Sequence, residues 1–135
     1  MLKCAILEAI AAGARGFGFW GECPLDANDL RVIAETVGML SPYEELLLTA
    51  RPDDTQVQAD TAMARCLASP HGKIVLISEY SDQPLTVRVK VQGSDTAMVR
   101  DLHTGEIAGK LTPEIREFTI KLDQERAKLF HIGKD

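Results

Sequence analysis

Ala14-Arg15-Gly16-Phe17-Gly18-Phe19-Trp20-Gly21-Glu22 is the stretch on which the reading of this chain turns. Two glycines alternate with two phenylalanines, and the run ends in an aromatic ring and a carboxylate. This pattern predicts a buried strand over residues 14–20 of the kind found in parallel sheets, with Trp20 and Glu22 at its C-terminal end. Glycine within a strand marks a face that something else approaches closely. A parallel strand needs parallel neighbours, and the surrounding sequence supplies none. The segment therefore reads as one piece of a larger sheet.

Helices are expected on both sides of it. Leu2, Ala5, Ile6, Ala9 and Ile10 fall on one helical face, and Gly13 is placed to end that helix. Beyond Pro24, Asp26 is an N-cap candidate, with Asp29 in the first turn. Leu30, Ile33, Ala34, Val37 and Leu40 then form an apolar stripe. Ser41-Pro42 reads as a second start, with serine as cap, proline at the first helical position and Glu44 and Glu45 in the first turn.

Residues 51–60, rich in Pro, Asp, Thr and Gln, read as a linker or an exposed connection. After Asp60 the period changes to two. Leu85, Val87, Val89 and Val91 alternate with polar residues, as do Phe118, Ile120 and Leu122. Further strands are expected at 62–68, 73–80, 96–102, 106–111 and 127–132, separated by turns such as Pro70-His71-Gly72 and Gly93-Ser94-Asp95. The expected fold class is α+β. A helix–strand–helix unit spans residues 1–50, and an antiparallel β-sandwich of about seven strands spans residues 60–132.

The 135 residues suffice for one ordinary domain, or for a small domain with an appendage. A net charge of −5 argues against nucleic acid and anionic membrane surfaces as partners, since both need a basic face. No apolar run approaches the roughly 20 residues of a membrane span. Glu8 and Arg15 interrupt what would otherwise pass for a signal peptide. Cys4, Cys23 and Cys66 are too scattered for a disulfide framework or a zinc site, so reduced thiols and a cytoplasmic location are expected. His71, His103 and His131 are equally dispersed, and no metal or cofactor is expected.

The order of elements resembles the C-terminal end of barrel-type glycoside hydrolases, where the last βα unit leads into an all-β domain. Residues 11–20 are similar to a seventh helix entering an eighth strand. Leu40-Ser41-Pro42-Tyr43-Glu44-Glu45-Leu46-Leu47 resembles the end of an eighth helix, and Val99-Arg100-Asp101-Leu102-His103-Thr104-Gly105-Glu106 a hairpin of the terminal sandwich. The resemblance implies a carbohydrate ligand, with Trp20 as a stacking platform and Glu22 as a hydroxyl acceptor. It implies no catalytic residue here, because the paired carboxylates of such enzymes come from mid-barrel strands.

Each candidate has a plainer reading. Trp20 suits a core beside Phe17 and Phe19, Glu22 a solvated loop, and Cys23 a loop thiol without a histidine base nearby. Gly16, Gly18 and Gly21 lack the spacing and lysine of a phosphate loop. Asp53, Asp54 and residues 123–126 read as solvated turns, and Arg88 and Lys90 as an outer sheet face. Three functional readings follow. The first is a fragment or remnant of a carbohydrate-active enzyme, completed by the missing barrel portion. The second is a self-associating interaction module, a homodimer joined through residues 14–20. The third is a small enzyme that combines Glu22 with a carboxylate of the sandwich.

Overall fold

The computed structural model describes residues 1–18 and 24–134. Three helices come first: α1 (Leu2–Ala11), α2 (Ala27–Leu40) and α3 (Glu44–Thr49). Nine strands follow: β1 (Arg51–Pro52), β2 (Val57–Ala59), β3 (Met63–Ser69), β4 (Gly72–Ser78), β5 (Leu85–Val91), β6 (Ala97–Asp101), β7 (Ile107–Leu111), β8 (Glu117–Leu122) and β9 (Ala127–Gly133). All pairings are antiparallel. The sheets run β1-β3-β4-β9-β6-β7 and β2-β5-β8. The α+β class and the sandwich are thus as expected, and the seven longer strands β3–β9 match the anticipated ones closely.

Strand alternation builds two cores. On β4, Val75 and Ile77 point between the sheets, where they meet Val87, Val89, Phe118, Ile120 and Phe130. Ile74 and Leu76 point the other way, against Ile6, Leu7 and Ile10 of α1 and Leu46 of α3. The six-stranded sheet is therefore covered on both faces: by the smaller sheet on one, by α1 and α3 on the other. This accounts for the nearly unbroken apolar run of β4, which buries residues 74–78.

Local chemistry sets the helix ends. Gly13 has φ of +101°, and its N–H reaches the Ile10 carbonyl while Ala14 N–H reaches Ala9, each at 2.9 Å. This is a Schellman termination, which glycine permits because it has no Cβ. Asp26 caps α2 in a full capping box: its carboxylate accepts from Asp29 N at 2.8 Å, and Asp29 Oδ2 accepts from Asp26 N at 3.2 Å.

Four expectations are corrected. Residues 14–18 form no strand, and nothing described lies within 4 Å of a Cβ built on Gly16 or Gly18. Both sheets take their members from residue 51 onward, so this segment finds no ladder to join. Ser41 is not a side-chain cap; it continues the helical backbone of α2 into a 3-10 turn, Ser41–Tyr43, before α3. Residues 51–60 are no free linker. They hold β1, a 3-10 turn and β2, fastened where Asp54 Oδ1 accepts from Cys66 N at 2.9 Å. The stripe of α2 is split: Leu40 is buried and Ile33 half-buried, but Leu30, Ala34 and Val37 are exposed. Helix α2 lies on α1, away from the sheet, so among the described residues one side of its stripe is left uncovered.

Candidate functional site

The site anticipated at Trp20 and Glu22, with Cys23 beside them, lies outside the described residues. Arg15 anchors the segment leading to it: its guanidinium donates to the Gly13 carbonyl at 3.0 Å and to the Ala50 carbonyl at the end of α3. Beyond the anchor, Phe17 is 45% exposed. Together with α1, α2 and α3 the segment walls a cavity of about 310 Å³. Its lining is mostly apolar, with Ile6, Ile10, Val37, Leu40 and Leu47 prominent, and Arg15 and Glu44 supply its charges. Leu48 also lines it, and Leu30 is exposed on α2, the helix that supplies Val37 and Leu40. A concave apolar surface with few polar groups suits another apolar body better than it suits proton transfer.

The other titratable groups are mostly structural. Burial pushes the Cys66 thiol up to about 12, which keeps it protonated and inert as a nucleophile. Tyr80 donates to Glu8 Oε1 at 2.6 Å, tying the end of β4 to α1, and burial followed by that bond pushes its phenol up to about 12. Glu8 Oε2 also lies 3.3 Å from Arg65 Nε. The Ser81 hydroxyl and N–H, aided by Arg126, hold Glu79 below the usual carboxylate range. His103 stands in the β6–β7 turn, where its Nε2 accepts from Leu129 N at 3.1 Å; burial holds its pKa below 6.5. His131 stacks on Tyr43 with ring centres 4.6 Å apart. No cluster of three or more His, Cys, Asp or Glu able to hold a metal occurs among the described residues.

Two arginines escape sequence reasoning altogether. Arg126, expected in a solvated turn, donates to the carbonyls of Glu79, Gln83 and Asp123 and pairs with Glu79 Oε2 at 2.5 Å. Arg116 does the same at the opposite end of the sandwich, donating to the carbonyls of Val91, Gln92, Asp95 and Thr112. Each binds turns distant in sequence, which no local spacing signals. Arg88 and Lys90 do lie on the outer face of β5, where Lys90 pairs with Glu117 at 3.4 Å.

Neither a family model nor a curated protein matches the chain. Solved structures do. The whole fold recurs within chains described as glycoside-cleaving enzymes. A candidate α-N-acetylgalactosaminidase from Bacillus halodurans superposes with a TM-score of 0.65 at 16% identity, over 99% of this chain and 31% of that one. A candidate α-galactosidase/melibiase from Bacteroides fragilis gives 0.65 at 15% identity, over 98% and 28%. An α-amylase from Anoxybacillus gives 0.64 at 15%, over 99% and 32%. The chain therefore spans about a third of the length of the structures it matches. At such identities the likeness is one of fold.

Proposed function

We propose that this chain is the C-terminal part, or a remnant, of a carbohydrate-active enzyme of the glycoside hydrolase type, with no complete catalytic site of its own. The observation that carries the reading is the match of nearly the entire chain to a third of much longer glycoside-cleaving enzymes. In this reading residues 60–132 are a structural sandwich, and residues 1–50 contact the rest of a barrel. The exposed apolar surface of Leu30, Val37 and Leu48 supports it, because a face of this kind is normally buried. Trp20 and Glu22 are the proposed sugar contacts at the barrel's edge, and the cysteine pattern favours a cytoplasmic setting.

The test has two arms. The encoding locus and the mass of the endogenous protein decide the first: in-frame barrel sequence upstream and a polypeptide far larger than 14.8 kDa are expected. An endogenous protein of 14.8 kDa with no barrel sequence upstream overturns the fragment reading. In the second arm, sugars are titrated against the fluorescence of the single tryptophan. A flat response across a broad glycan panel removes Trp20 as a platform. The same apolar surface favours a second reading, self-association of a small binding module. Light scattering on a size-exclusion column reads it directly: a clean monomer at micromolar concentration excludes it.

A further inference from the structure

At the end of the sandwich where β4 begins and β9 finishes, the inward-facing positions change character. Val75 on β4, Ile132 on β9, Val99 and Ala97 on β6, Phe118 on β8 and Val91 on β5 all face the space between the sheets. Two residues further along come Lys73, still within β4, and Lys134, Asp95, Arg116 and Gly93, which lie just past the strand ends. These five residues meet around one polar cavity of about 340 Å³, whose wall also includes Gly72, Gln92 and Thr96. Lys73 lies on β4, directly opposite Ile132 of β9, and is half-buried. A lysine at an inward position of a central strand is unusual, because burial disfavours its charged form.

The charge around this cavity is not balanced. Among the described residues that line it, three cations face a single carboxylate, Asp95, in a chain whose net charge is −5. Four of the five Arg116 N–H donors are taken by backbone carbonyls, so its contribution to the cavity is mainly its charge. Lys73 and Lys134 pair with no carboxylate among the described residues. Each ammonium keeps donors that a ligand can use. Gly93 has φ of +113°, and a Cβ there would sit 3.3 Å from Arg116 Nη2, so the floor of the cavity is open because this position has no side chain.

We propose that this mouth of the sandwich is a binding site for a compact oxyanion, a phosphate or carboxylate group, held between the ammonium groups of Lys73 and Lys134 in the positive field of Arg116. The site shares no lining residue with the cavity between α1, α2 and α3 and does not depend on the reading of the chain as part of a larger enzyme. An oxyanion supplies the acceptors and the negative charge that the cavity lacks, and its size suits the space. The two lysines act as point charges; they ask for no particular fork geometry and so accept either anion.

The experiment follows backbone amide shifts of the full chain by NMR, at constant ionic strength set with sodium chloride. Inorganic phosphate and glucuronate are titrated separately. Saturating shifts confined to Gly72, Gly93, Thr96 and Lys134 are expected with at least one of them, and the one that saturates names the anion. Lys73→Met, which keeps the aliphatic stem, is expected to weaken binding about tenfold or more, as is Lys134→Ala, which sits one residue past β9 and leaves every strand intact. Shifts that never saturate with either probe overturn the proposal. So does wild-type affinity in either variant.

Discussion

At the scale of single residues, His103 links the fold to pH. Its Nε2 must be unprotonated to accept the Leu129 N–H, and its imidazole is packed among Lys3, Lys128, Glu125 and Asp101. Burial first, and Lys3 next, hold its pKa below the ordinary 6.5. The unfolded chain therefore takes up this proton before the folded one does. The contribution of His103 to stability is complete above pH 6.5 and is lost as pH falls from there through its depressed folded value. Asp53, Asp60 and Glu79, held low by their hydrogen bonds, lose their contributions only in the more acidic carboxylate range, so the two effects separate. Thermal unfolding followed by circular dichroism should show the midpoint falling between pH 7.5 and 5.5. His103→Gln, which does not titrate, should flatten that slope; a slope of wild-type steepness in the variant refutes the assignment.

At the scale of elements, the sharpest test is the start of α2. The Asp26–Asp29 box satisfies N–H groups that the helix itself cannot. Asp26→Ala is expected to cost about 1 kcal/mol in denaturant unfolding, with an unchanged m-value. The cap was readable because capping depends on residues a few positions apart. The same locality made β5 and β8 readable to the residue, through Leu85–Val91 and Glu117–Leu122, and made Gly13 readable as a helix end. What failed was whatever depends on a partner. Residues 14–18 have the composition of a buried strand but no ladder to join, and the Asp54 bond to Cys66 that fastens the 51–60 stretch spans the chain between them. Periodicity showed that Leu30, Val37 and Leu40 share a face of α2, yet it could not show that only part of this face would be covered. Trp20 and Glu22 are candidates by residue type and position alone and lie outside the described residues, whereas the lysines of the proposed oxyanion site come together only once the strands align.

At the scale of the whole molecule, the arrangement is layered: a small sheet, a large sheet, α1 with α3, and α2 outermost on α1. Burial declines outward through these layers. Leu76 in the large sheet is fully buried, while Leu30 and Val37 on α2 are 56% and 52% exposed. That gradient separates residues that hold this chain together from residues whose side chains its own core does not need. Leu76→Ala removes packing on the helix side of the sheet and is expected to cost about 2–5 kcal/mol. The double variant Leu30→Glu with Val37→Glu removes little that is buried, so its unfolding free energy should stay within about 1 kcal/mol of wild type. Its effect should appear elsewhere. Binding of a hydrophobic dye to the isolated chain should fall, and any association through this face should be lost. A double variant as unstable as Leu76→Ala would mean that the outer face of α2 is part of this chain's own core, and the argument that it awaits the rest of a larger enzyme would fail with it.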